Sequence, residues 1–321
     1  MRNIILLLTG LITSGCVALP PAVHDTPPNA YAIETNQTPL ERLAPVIVPQ
    51  RFQPPFNRVG TVTARGTGNG DEVIEVDPTA ATMYAETRRF VSKGGKHYTN
   101  LVYRIHFEYV PFPHLTTGNN GGLLVILTLN SDNQPVLVTT VHTCGCYLAI
   151  VPTSYLDETA YPDDWDADSQ RVYGETLPGR LDMPPRLAEH ARVRLFLRHA
   201  THRIMDVDII DERTLAATHR VHTMALKPAD TLTRLPTGNG NSTSFYYQSE
   251  RARGYVKNAL KPLEFLFMSW WALDLRVGVD KIYGQTNEPG PAFYTSLKPW
   301  ARAASDMRDF AGFLSYWGWK L

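Results

Sequence analysis

Cysteine is scarce, with three in 321 residues, which excludes a disulfide-rich scaffold. Neither sign of charge dominates, because 31 Lys and Arg balance 31 Asp and Glu. A nucleic-acid-binding protein would carry a basic excess, so that class of partner is excluded. No segment beyond the N-terminus is apolar enough to span a bilayer, which takes roughly 18 or more apolar residues. The longest candidate, Phe265 to Leu273, is bounded by Glu264 and Asp274. Common catalytic signatures are also missing: the chain has no GxSxG, HExxH or GxxxxGK[ST], and no GxGxxG after a strand. Gly118, Gly121 and Gly122 precede a strand-like run rather than a helix, so they read as a turn and not as a phosphate cradle. Asp163, Asp164, Asp166 and Asp168 read as a solvated acidic loop.

What is present begins with an apolar content of 43%, ordinary for a globular chain with a real core. The N-terminus, MRNIILLLTGLITSGC, has Arg2 followed by an apolar run from Ile4 to Ile12 and then small residues. That is the pattern of a secretory signal peptide and is too short for a transmembrane helix. Thr13-Ser14-Gly15-Cys16 resembles the lipobox of bacterial lipoproteins, departing from it at Thr13, where Leu is commoner. The resemblance covers the first 16 residues. It implies a signal peptide over 1–15, cleavage before Cys16, acylation of that cysteine (palmitate among the chains), and anchoring in the cell envelope. Val17, in place of Asp, resembles lipoproteins sent to the outer membrane of diderm bacteria. Several acyl chains, at about 0.8 kcal/mol per buried CH₂, make such an anchor essentially permanent.

Residues 16–56 hold nine of the 24 prolines and little periodicity, which predicts a polyproline-like tether. At ~3.1 Å per residue it would reach up to roughly 100 Å. Residues 57–250 carry mostly strand signals. Leu101 to Val110 alternates, with Leu101, Tyr103, Ile105, Phe107 and Tyr109 on one face and Arg104, His106 and Glu108 on the other. Leu123–Leu129 and Val136–Val141 flank the turn chemistry of Asn130 to Asn133 and predict a hairpin. Val193–Leu197 and Ile204–Ile210 predict another. Residues 157–190 read as a long acidic loop. In the last segment, 251–321, Tyr255 to Asp274 reads as helix, and a tail helix follows a Ser305 N-cap, with Phe310, Phe313, Leu314 and Trp317 as its apolar stripe. The fold class expected is α+β: a mainly antiparallel β-sheet body with C-terminal helices packed on it. Phe265, Phe267, Trp270, Trp271, Trp300, Trp317 and Trp319 crowd this segment. Core packing is the expectation for them over a membrane-surface belt, because acids at Glu264, Asp274 and Asp306 mix with Lys261 and Arg308 where an interfacial helix would be basic.

One constellation could do chemistry, His142-Thr143-Cys144-Gly145-Cys146. If the strand before it continues, His142, Cys144 and Cys146 share a face. One imidazole and two thiolates suit zinc or copper, with a fourth ligand to be found. His106 and Glu108 are the first candidates for it, and His114, His199 or His202 the next. Two other readings stay open. Thiols exported to an oxidising compartment tend to pair, and a small Cys-Gly-Cys ring suits a redox-active bond. Alternatively, both cysteines are inert and buried. The histidine pairs His199/His202 and His219/His222 are weaker metal candidates. The expected function is therefore a membrane-anchored envelope lipoprotein that binds a protein partner or assists assembly. The alternative is a metal-dependent or redox enzyme, or a metal sensor, built on His142, Cys144 and Cys146.

Overall fold

The computed structural model describes residues 25–34, 38–66, 72–184, 191–238 and 240–321. The leader, Cys16 and the first part of the expected tether lie outside the described residues. The chain enters through β1 (Asn29–Ala32), a short helix α1 (Pro39–Arg42) and β2 (Val46–Pro49). A hairpin, β3 (Thr61–Gly66) and β4 (Glu72–Asp77), precedes the long strands β5 (Thr82–Val91) and β6 (His97–His106). After the short pair β7 (Tyr109–Val110) and β8 (Gly118–Asn119) come β9 (Gly122–Leu129), β10 (Pro135–His142) and β11 (Ala149–Pro152). Next are a small hairpin of β12 (Ser169–Val172) and β13 (Glu175–Pro178), then β14 (Ala191–Leu197), β15 (Ile204–Asp211), α2 (Glu212–Thr218), β16 (Arg220–Thr223) and β17 (Ala225–Pro228). The short pair β18 (Leu235–Pro236) and β19 (Ser242–Thr243) leads to α3 (Pro262–Ala272) and α4 (Phe310–Tyr316).

Two sheets make the body. One has the order β15-β14-β2-β1-β16, the other β11-β10-β9-β6-β5-β17. Pairing is mostly antiparallel, with parallel contacts at β14/β2, β1/β16 and β17/β5. The main core fills the space between the sheets: Ile47, Leu195 and Val207 from the first meet Met83, Tyr103, Ile105, Leu123 and Val138 from the second. The opposite face of the six-stranded sheet is covered too, by Phe293, Met307, Phe310, Phe313 and Trp319 against Val102, Leu124, Ile126 and Val141. Burial on both faces explains why β9 reads as a continuous apolar run rather than an alternating one. The chain is thus α+β, with its C-terminal helical segment attached to the sheet body.

Three expectations need correction. The proline-rich stretch is not a tether from Asn29 onward: β1 and β2 are interior strands, and Val46, Ile47 and Val48 have no exposed surface. The prolines punctuate short elements there, and the β-branched run Val46-Ile47-Val48 outweighs the local composition. The acidic stretch 157–190 contains the hairpin β12/β13 as well as loop. In the C-terminal segment α3 is confined to Pro262–Ala272, and α4 is capped by Asp309, whose side chain accepts from the Gly312 N–H, while Ser305 is buried upstream. Much of the rest is irregular chain held by side chains. Arg308, for example, donates to the carbonyls of Gln285, Thr286, Glu288 and Gly290.

Candidate functional site

The strand ends at His142, and the next residues form a tight turn rather than an extension of it. The Gly145 N–H donates to the His142 carbonyl at 2.8 Å, and the His142 N–H donates to the Cys146 carbonyl at 2.9 Å. Gly145 has φ +97°, and an added Cβ would stand 2.1 Å from the Tyr294 carbonyl oxygen, so this position requires glycine. The turn, not strand alternation, brings His142, Cys144 and Cys146 together: their ligand atoms all lie within 4.8 Å of one another. The two cysteines are joined as a disulfide, with Cα atoms 5.7 Å apart.

The turn is clamped from 137 residues away by a buried charged network. Thr143 Oγ1 donates to Asp280 Oδ2 at 2.5 Å, and Lys261 Nζ donates to Asp280 Oδ1 at 2.6 Å. Lys281 donates its backbone N–H to the Thr143 carbonyl at 2.8 Å and its Nζ to the Cys144 carbonyl at 2.6 Å. Asp280 and Lys281 have no exposed surface, and Lys261 has almost none. Burial brings the Lys281 ammonium down to about 8, which leaves it mostly charged at neutral pH. Each backbone carbonyl of the turn that faces inward thus meets a cation or an N–H. Nothing in the sequence marks Lys261, Asp280 or Lys281, because their partners are remote along the chain.

His142 is buried, and burial followed by the Lys261 and Arg203 charges pushes its imidazole down to about 3. It is therefore neutral at physiological pH and offers a nitrogen lone pair. Its Nε2 has no hydrogen-bond partner. His202 lies beside it, stacked on Phe107 at 3.9 Å between ring centroids, also buried, held well below its usual pKa, and with Nε2 unpartnered.

The fourth-ligand candidates fare unequally. His106 and Glu108 do not join the cluster. Register pairs Ile105 with Leu123 and Leu123 with His142, so His142 shares their face while His106, one residue on, takes the other. There its Nε2 accepts from Arg104 Nε at 2.8 Å and its ring meets Phe245 edge-on. His199 is bonded through Nδ1 to Asn57. His219 is shared between Arg194 and Thr218, and His222 stacks on Phe52 with Nε2 on Asn29. The aspartates of the acidic loop serve separate purposes, Asp163 bonding Lys320 and Asp166 capping a turn at Asp168. Among the described residues, the cluster at 142–146 is the group of histidine, cysteine and acidic side chains whose geometry fits a metal ion.

The aromatic crowd divides. Trp319 is in the core, but Phe265, Phe267, Trp270, Trp271, Trp300 and Trp317 are exposed. Core packing is therefore the wrong account of α3. No helix among the described residues is long and apolar enough to cross a membrane. No family model, no curated protein and no solved structure matches the chain.

Proposed function

We propose that this is an exported, lipid-anchored envelope protein whose folded body carries a thiol-dependent metal centre at His142, Cys144 and Cys146. The observation that carries the reading is the convergence of one neutral, buried imidazole and two sulfurs within 4.8 Å. One nitrogen and two sulfurs make a soft donor set, which favours zinc or copper over hard cations. A fourth ligand would have to come from outside these three, since no other histidine, cysteine or acidic side chain among the described residues joins the group. The disulfide and the metal exclude each other, since the ligand is the thiolate. The centre is thus loaded when the pair is reduced and closed when it is oxidised, which suits a metal sensor or carrier, or a redox-gated enzyme, more closely than a purely structural assembly factor. Ile4–Ile12, Cys16 and Val17 support export and attachment at the outer membrane of a diderm bacterium.

Elemental analysis with a thiol count tests the metal reading. The full chain, purified without chelators and then reduced, is expected to bind one zinc or copper per molecule with loss of two titratable thiols. Cys144→Ser and His142→Ala each abolish the uptake while leaving the circular dichroism spectrum unchanged. A reduced chain with two free thiols and no bound zinc or copper overturns the proposal.

A further inference from the structure

α3 is apolar around its whole circumference. From Phe265 to Leu273 no residue is charged, and the one acid in the helix, Glu264, is turned inward. A helix apolar on all sides belongs in a protein core or in lipid, yet Trp270 is 69% exposed, Leu266 62% and Leu273 72%. The patch continues into Leu275 beyond the helix. Gly118, at the start of β8, abuts the Leu260 carbonyl just ahead of α3, and Phe112 in the loop that leads to β8 is 76% exposed. Exposed apolar side chains in this number mark an interaction site.

Where the chain enters the fold identifies the occupant. The described body starts at Asp25, whose carboxylate accepts from the Phe52 N–H at 2.8 Å. β1 runs antiparallel to β2, so it begins beside the exit of β2. Gln50, just past that exit, bonds to Leu197 and to His199 in the β14–β15 turn. The same turn carries His202 onto Phe107. Across from it the turn at 142–146 is held by Asp280, which pairs with Lys261 at the foot of α3. The entry point and the apolar helix therefore occupy one end of the two sheets. On the Cys16 anchor of the proposed function, the chain from Cys16 to Asp25 allows at most about 30 Å between lipid and body.

We infer that α3 and the β7–β8 loop lie in the membrane interface, so that the protein rests on the lipid surface by this end rather than standing off it. Tryptophan is the side chain suited to that depth, with its ring in the acyl boundary and its N–H at the headgroups. The inference rests on the Cys16 anchor of the proposed function.

The test uses the full chain, made in a diderm bacterial host and reconstituted with vesicles of phosphatidylethanolamine and phosphatidylglycerol bearing brominated acyl chains. Intact mass reports acylation of Cys16, and tryptophan emission reports contact with the acyl chains. The expected result is an acylated chain whose emission is quenched, with most of the quenching lost in W270F/W271F, a variant whose exposed sites leave its melting temperature unchanged. Acylated, vesicle-bound protein with no quenching attributable to Trp270 and Trp271 overturns the docking and leaves the anchor standing. Quenching without an acyl group on Cys16 removes the anchor and upholds the docking. A stable dimer that shields Trp270 from aqueous quenchers in the absence of lipid also overturns the docking, since the patch is then covered by a second copy.

Discussion

Replacing Lys261 by methionine probes the network that shapes the candidate centre. Met keeps the length of the side chain and removes its charge, leaving Asp280 with no exposed surface and only Thr143 as a side-chain donor. Breaking a buried ion pair from one side costs about 3–5 kcal/mol, because the remaining charge is uncompensated. Lys281 is a neighbouring cation that interacts favourably with Asp280, so a value at the lower end, about 3 kcal/mol, is expected. K261M/D280N removes the stranded charge while the Asn carbonyl still accepts from Thr143. Much of the loss should then return, because a pair replaced by neutral groups is often near neutral in stability. Urea unfolding is the assay, with the midpoint shifting and the slope unchanged in both variants. A K261M loss below about 1 kcal/mol would be the value of an exposed pair and would refute the account, as would a double variant no more stable than the single.

Further expectations concern acid and the turn. His106 is held neutral by burial first and by the Arg104 charge second, down to about 3 from 6.5. Its folded pKa is depressed, so the folded state binds fewer protons: stability is full above pH 6.5 and falls as pH drops from there toward about 3. Near pH 5 this histidine alone removes roughly 2 kcal/mol, and H106Q should flatten the pH dependence of the urea midpoint by that amount. A wild-type midpoint constant from pH 7 to about 5 would contradict it. Gly145→Ala places a side chain at φ +97° against the Tyr294 carbonyl; it should cost at least roughly 2 kcal/mol and weaken metal uptake by the reduced chain. Unchanged thermal stability in that variant would show that the turn is not pinned by Tyr294.

The parts of the fold legible in the sequence were those fixed by local pattern. Alternation from Leu101 to His106 gave the two faces of β6, which ends short of the expected Val110; the hairpin β9/β10 followed from an apolar and a β-branched run flanking turn residues, and β14/β15 from the alternation at Val193, Leu195 and Leu197. Where composition and pattern disagreed, pattern prevailed. Proline density argued for a tether, but four-residue strands are too short for periodicity to assert itself, and β2 owes its place to β14, more than 140 residues away. Helix α3 misled for the converse reason. Nine uncharged residues from Phe265 to Leu273 imply burial by something, and a single chain does not say whether that something is its own core.

The candidate centre was half legible in the same sense. The residue types in His-x-Cys-x-Cys announce a soft ligand set, and the structure brings them together, but by a different device from the one the spacing implies. Extended alternation would have kept each side chain one pleat from the next and recruited His106 from β6, two strands away across β9. The turn instead folds the three inward, and the register of β6, β9 and β10 sends His106 to the far face of the sheet. What fixes the turn is Gly145 against Tyr294 and the Lys261–Asp280–Thr143 chain, contacts contributed wholly by the last quarter of the sequence. The same quarter supplies α3. Through Asp280 and Lys261 the turn that holds the sulfurs is bonded to the residue that opens the exposed helix.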